Sequence, residues 1–352
     1  MKGIAAGMKE IVGVAAKMGV ELKVGAVAAA AANANFGHLF ASGGNADNAN
    51  ANAAAAGAAA EVVSKVSGQQ IIKAIVDSDA SGDGAGQAPA AATNPIDAAI
   101  GANNGDGAAF GQAGMLHNDK IAAAIVLRGM AKDGKFALAQ GQAAAVNGLK
   151  STVEKLNGWI TEMAAAAAKG ATAATGDAAE AIGNVEAADN NNAGGAQGNA
   201  VSVKGIAEGM KGIVEAAAKM GVELKVGAVA ETDAAANTVG NLFASGGAAA
   251  GTAVHAGAAA EVVSKVSGQQ IIKAIVESAD GAGQAPDQAN GPIDAAIGAN
   301  AGAGAAFAQG MTGNDKIAAA IVLRGMAAGG KFALANGEDD AVKGLKSTVE
   351  KL

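Results

Sequence analysis

What most limits the fold of this chain is a thirteen-residue segment written twice. NDKIAAAIVLRGM occupies Asn118–Met130 and returns unchanged at Asn314–Met326. From Ile121 to Leu127 no polar residue interrupts it. A helix apolar on every side has no face for water, so this segment predicts a helix buried all round, with the rest packed upon it. Asn118 or Asp119 suits its N-terminus. Gly134 and Gly330 follow its end, where glycine favours helix termination. One residue does not fit: Arg128 and Arg324 are the only two arginines in the chain. A buried cation is costly unless something meets its charge, or its stem lies buried while the head reaches an edge.

The repeat extends beyond this helix. Residues 2–28 match 204–230 at an offset of 202, and LFASGG at 39–44 matches 242–247 at 203. AGAAAEVVSKVSGQQIIKAIV at 56–76 recurs unchanged at an offset of 200, and PIDAAIGAN at 95–103 recurs at 197. KFALA at 135–139 and GLKSTVEKL at 148–156 recur at 196. The offset changes only between matched blocks. Length changes therefore fall in Ala-, Asn-, Gly- and Asp-rich segments such as 45–55 and 104–116, which read as exposed loops. The matched blocks read as helices. Ile4, Met8, Ile11 and Ala15 share one face. Val62, Val63, Val66, Ile71, Ile72 and Ile75 mark a second helix with a kink at Gly68. Val146, Leu149, Val153, Leu156 and Ile160 mark a third, running to about Ala168.

The expected architecture is all-α: two similar elongated helical bundles with long Gly/Ala/Asn-rich loops. The first module spans 1–168, a low-complexity connector 169–203, and the second module 204–352, ending part-way through its last helix so that 346–352 frays. With 53 Gly, four Pro, seven Phe, one Trp and no Tyr, the β-branched and aromatic runs of strands are missing. Much of the apolar content is alanine, so the core is expected to be thin and its helices close.

Chemistry is sparse. A net charge of −7 with scattered lysines gives no basic face for nucleic acid. No cysteine is present for a disulfide, a thiolate metal site or a thioether-linked lipid. The N-terminal segment reads as an amphipathic helix rather than a secretion signal, and no run is long and apolar enough to span a bilayer. His38, His117 and His255 correspond to Asn241, Gly313 and Ala55, so none serves both copies, and they read as surface loop residues. DSDASGD at 77–83 opens like a calcium loop, but Ala88 stands where the bidentate Glu belongs. The glycines at 82–86 lack the strand before and the GK[ST] after that a phosphate loop requires. Ser64 and Ser67 have no paired base. No catalytic, cofactor-binding or metal residue is expected, nor is enzymatic activity.

KGIAEGMKGIVEAA at 204–217, NDKIAAAIVLRGMAKDGKFALA at 118–139 and STVEKLNGWITEMAAAAAKGATAATGDAAEAIGNV at 151–185 resemble the borrelial variable surface lipoproteins, the Vls and variable-large-protein (Vmp-like) group. The resemblance spans essentially the whole chain. It implies a non-enzymatic outer-membrane surface lipoprotein that evades immunity by antigenic variation, or a silent-cassette donor for one. Host antibodies are then the partners, and membrane contact comes only through a lipid anchor. In family order the STVEKL helix opens a cassette, so the chain reads as a cassette without its opening (1–149), a complete one (about 150–340) and the stub of a third. The alternative is an adhesin for host matrix or glycans, engaged through lysine-bearing helices.

For the arginines the expectation is a structural ion pair with an acid present in both copies. Those acids are Glu21/Glu223, Glu61/Glu261, Asp97/Asp294, Asp119/Asp315 and Glu154/Glu350. Asp97 for Arg128 and Asp294 for Arg324 are the favoured partners, because each follows Pro-Ile near a predicted helix start.

Overall fold

A computed structural model of the chain describes residues 1–17, 36–42, 51–78, 86–139, 146–174, 185–187, 195–219, 224, 226–229, 234–245, 251–308 and 310–335. The helices are α1 (Lys2–Lys17), α2 (Ala53–Lys65), α3 (Gly68–Val76), α4 (Pro95–Ile100), α5 (Asn118–Met130) and α6 (Val146–Ala174). They continue with α7 (Ala200–Lys219), α8 (Ala234–Asn237), α9 (Ala253–Ser264), α10 (Gly268–Val276), α11 (Pro292–Ile297) and α12 (Asn314–Met326). Tight 3-10 turns lie at Phe36–Phe40, Ala113–Met115 and Thr238–Phe243. The strands described are β1 (Val185–Ala187) and β2 (Phe332–Leu334), a parallel pair with Val185 opposite Phe332. The fold is all-α apart from this short ladder.

Two compact units result: Met1–Thr161 with Ala217–Val222, and Glu162–Ala216 with Glu223–Leu352. The division falls within α6 rather than at residue 168, and α6 runs to Ala174. Part of the expected connector is built into the second unit. The Gly198 amide donates to Ile297 and the Asn199 amide to Ala328, while the Asn199 side chain accepts from the Val201 and Ser202 amides at the start of α7. A low-complexity sequence supplies structure there because backbone groups and one Asn cap suffice. The fraying expected at 346–352 lies outside the described residues.

Each unit is organised on its repeated apolar helix. In the first, α5 packs against α2, α3 and α4; in the second, α12 packs against α9, α10 and α11. Every residue from Ile121 to Leu127 and from Ile317 to Leu323 is buried, as a helix without a polar face requires. The expected kinked helix at 56–76 is two helices. Ser67 and Ser267 accept from the Gln70 and Gln270 amides, while the Gln side chains accept from the Ser amides. This reciprocal capping box starts a new helix with a new axis, and Ser-x-x-Gln is its sequence signature.

The segment 104–116, expected as an exposed loop, carries two core anchors. Phe110 and Met115 are 2% and 0% exposed, and their counterparts Phe307 and Met311 are buried as well. Phe110 meets Phe40 edge-on at 5.4 Å, and Phe40 meets Phe136 at 5.7 Å. The second unit repeats the trio with Phe243 between Phe307 (5.2 Å) and Phe332 (5.4 Å). Six of the chain's seven Phe thus form two clusters that give an alanine-rich core its bulk. Phe110→Ala and Phe307→Ala are each expected to cost about 3–5 kcal/mol. Asp106→Ala, an exposed change in the same segment, is expected to stay within about 0.5 kcal/mol. Urea unfolding of the three variants checks this.

Candidate functional site

The two arginines sit on those aromatic clusters. The Arg128 guanidinium lies over the Phe40 ring, 5.2 Å from its centroid, and that of Arg324 lies 5.1 Å from the Phe243 centroid. Arg128 Nε donates to the Lys135 carbonyl at 2.6 Å and an Nη to the Ala99 carbonyl at 3.2 Å. Arg324 Nε donates to Lys331 at 3.1 Å, and its two Nη atoms donate to Ala295 (3.4 Å) and Ala196 (2.5 Å). One side chain therefore ties the buried helix to the end of α4 or α11, to the KFALA segment and to the aromatic trio. The carbonyls at the C-terminal end of a helix carry partial negative charge, a fitting place for a cation.

This replaces the expected clamp to Asp97 and Asp294. Among the described residues, neither arginine forms an ion pair with a carboxylate. Asp97 is fully buried in the first turn of α4, and its carboxylate accepts from the Asn94 side chain at 2.7 Å. Asp294 accepts from the Gly283 amide at 3.2 Å. Asp97 serves the start of its short helix and Asp294 holds the preceding loop, whereas the arginines serve the end of those helices. Of the other shared acids, Glu61, Glu261 and Glu154 pair with Lys65, Lys265 and Lys150 on exposed helix faces. Asp119 and Asp315 lie in the first turn of the arginine's own helix. Glu21, Glu223 and Glu350 lie outside the described residues.

Close backbone approach completes the arrangement. Gly101 and Gly298 sit at φ +74° and +77°, and a Cβ on either would come within 3.1 Å or 3.0 Å of the arginine Nη. Only glycine meets both demands without strain.

With no opposing carboxylate among the described residues, burial governs the titration. It lowers the Arg128 guanidinium below its ordinary value and lowers the fully buried Arg324 to about 9. Both remain cations at neutral pH.

The motifs that suggested chemistry have structural roles where they are described. Asp77 caps the end of α3 and pairs with Lys73 at 2.6 Å, and Glu277 pairs with Lys273 at 3.0 Å. Residues 79–85 lie outside the described set. His255 is not a loop residue: it stands in the first turn of α9, where Nδ1 accepts from the Thr252 amide. His117 precedes α5 and is exposed, and His38 is half-buried in a 3-10 turn. Among the described residues no group of three or more His, Asp or Glu is placed to hold a metal, and no helix is long and apolar enough to cross a membrane.

What separates the two copies is where they differ. The pairs Ala54/Val254, Asp77/Glu277, Thr93/Asn290, Asn104/Ala301, Asp106/Ala303 and Gly111/Ala308 are exposed in both. Buried positions are nearly all unchanged. Phe36/Val239 and Ala51/Gly251 each exchange residues that are buried in both copies, the former apolar and the latter small, and Ala55/His255, half-buried in the second copy, is explained by the cap in α9.

A duplicated helical scaffold with a constant interior and a divergent surface is the class that these observations define. The chain belongs to the Borrelia lipoprotein family, whose model matches residues 1–156 and again residues 143–352. It is similar to the solved variable surface antigen VlsE of Borrelia burgdorferi, with 34% sequence identity and a TM-score of 0.50, covering 59% of this chain and 74% of that one. No curated protein matches.

Without a carboxylate partner, the contribution of Arg324 should not follow acid titration. Arg324→Met is expected to cost roughly 3 kcal/mol, because three carbonyls in buried or part-buried bonds lose their donor. That cost should stay flat as pH falls from about 8 to about 2 if carbonyls are the partners; with any carboxylate partner it would shrink below about pH 4, where a paired acid gains its proton. Urea midpoints of the wild type and the variant at stepped pH distinguish the two outcomes.

Proposed function

We propose that this chain is a non-enzymatic, antigenically variable protein of the bacterial outer surface, or a cassette donor for one. Its fixed helical framework carries exposed segments free to change, and host antibodies are its partners. The observation that carries this reading is the partition within one chain: two copies share a buried framework and diverge where both are exposed. The likeness to a variable surface antigen supports the same reading. So do the overlapping family matches, since the second opens at residue 143, just before α6. The cassette boundaries, with α6 opening a unit, are part of this proposal.

The adhesin reading draws less support. Lys65, Lys73, Lys150, Lys169, Lys265 and Lys273 each pair with a carboxylate, which mutes a cationic face for polyanions.

The test exchanges surface for framework. Placing the second copy's residues at 54, 104, 106 and 111 of the first (Ala54→Val, Asn104→Ala, Asp106→Ala, Gly111→Ala) is expected to leave the melting temperature within about 2 °C. Binding by antibodies raised against the folded wild-type first-copy surface should fall. Undiminished binding by sera that recognise those segments, or collapse of the fold, defeats the proposal. DNA upstream of the reading frame separates an expressed antigen from a donor: the former has a promoter and lipoprotein leader, the latter lies among promoterless copies.

A further inference from the structure

Five asparagines in the chain are followed directly by glycine, at 104, 147, 157, 290 and 336. Such a step is chemically vulnerable. Glycine has no Cβ to shield its amide nitrogen, so that nitrogen can reach the side-chain carbonyl of the asparagine before it. The reaction makes three demands on the structure. The asparagine side chain must be free to turn, the glycine amide must not be committed to a hydrogen bond, and the backbone must not be held helical.

The fold denies these conditions at three of the steps. Gly105 is buried, and its amide donates to the Ala102 carbonyl at 3.2 Å and to the Ser42 hydroxyl at 3.0 Å. Asn147 and Asn157 lie within α6, where helical backbone angles hold the next amide nitrogen out of line with the side-chain carbonyl. Asn336 lies outside the described residues. Asn290 meets all three demands. It is exposed, and its side chain has no hydrogen-bond partner among the described residues. Gly291 is extended, with φ −175° and ψ 176°, and its amide donates to no group among the described residues. The step stands on a fixed base: Ala289 is fully buried, and the Gly291 carbonyl accepts from the Ala295 amide at the start of α11. The aligned step in the first copy, Thr93–Asn94, cannot react. Asn94 Oδ1 is occupied by the Ile96 and Asp97 amides, and the nitrogen of the following Pro95 carries no proton.

We infer that Asn290–Gly291 is a site of spontaneous modification, where the protein converts its own exposed amide into a carboxylate. The Gly291 nitrogen gives its proton to water and attacks Asn290 Cγ. A Cγ–N bond forms, the Cγ–Nδ2 bond breaks, and Nδ2 takes up a proton and leaves as ammonia. One water molecule then opens the five-membered cyclic imide. Opening at one carbonyl leaves aspartate; opening at the other leaves isoaspartate, in which the main chain runs through the side-chain carbon. Amide and water are consumed, acid and ammonia are produced, and one negative charge joins a net of −7. The chemistry does not depend on the antigen reading. Under that reading, an exposed segment of the second copy changes its charge and its backbone path with no change of gene.

The test incubates the full chain, folded and in urea, in mildly alkaline buffer at body temperature. Peptide mapping by mass spectrometry follows the amide-to-acid mass gain, and isoaspartyl methyltransferase marks the isoaspartate. In urea, Asn104, Asn157 and Asn290 should convert at comparable rates, since only the dipeptide matters there. In the folded chain Asn290 should stay within about 3-fold of its urea rate, while Asn104 and Asn157 slow by at least about 10-fold. Gly291→Ala should slow conversion of Asn290 at least about 10-fold, folded or in urea, because a Cβ shields the nitrogen. An extended φ suits alanine, and the nearest atom to the new Cβ is Ser278 Oγ at 3.0 Å, on a side chain able to turn. Folding that protects Asn290 as strongly as Asn104 overturns the inference. So does conversion indifferent to Gly291→Ala, or acid formation at 290 without isoaspartate, since either names direct hydrolysis by water instead.

Discussion

A guanidinium group held by peptide carbonyls is the interaction on which each unit depends. The buried helices α5 and α12 are apolar and present little shape to fix their register. One arginine per helix supplies what alanine and isoleucine cannot: directional hydrogen bonds to neighbouring segments. Charge-assisted bonds in a low-dielectric interior are strong, and the planar fork presents its donors at set angles. The aromatic ring beneath each guanidinium adds attraction and excludes water. Lysine would offer the charge without the fork.

Because these acceptors are main-chain atoms, the clamp demands little of the sequences it joins. Every residue has a carbonyl, so Ala99, Ala295, Ala196, Lys135 and Lys331 could be other residues and still accept. What the clamp does demand is backbone position, secured by the glycines at 101 and 298 and by the Phe trio. Surface substitutions leave those elements untouched. The exposed ion pairs of α2, α3, α9 and α10 are one turn apart on single helices and individually weak. They can be lost or altered, as Asp77 to Glu277 shows, without disturbing the interior.

Much of this framework was legible in the sequence. Repeated blocks marked the helices, and the unbroken apolar run of NDKIAAAIVLRGM marked the centre of each unit, because burial on all sides leaves no other pattern. The break at Ser67 was legible too, as Ser-x-x-Gln, but the continuing Val/Ile pattern on both sides hid it. Phe110 and Met115 recur at offsets of 197 and 196, yet the Gly, Ala and Asn around them gave the segment the look of a loop. The arginine's partners were beyond sequence reasoning. A search for a charged partner considers only side chains, and carbonyls leave no mark in the residue letters. Asp97, favoured because it follows Pro-Ile near a helix start, lies two residues before Ala99, on the short helix that the arginine does contact.

The identity of α5 and α12 bears on how the chain reaches its native state. Two helices alike in every residue, 196 positions apart, carry the same information about which neighbours to join. As isolated segments, either could seat among α2, α3 and α4 or among α9, α10 and α11. Selection between correct and exchanged pairings therefore falls to chain connectivity, through the lower entropy cost of closing the shorter loop. Synthesis from the N-terminus adds a second bias, since α2 to α5 emerge and can associate before α12 exists. The unfolded full-length chain, diluted into native conditions with both copies present at once, loses that protection. Internally exchanged conformers are the misfolded products expected of it, and they would grow rarer as the segment joining the two copies lengthens.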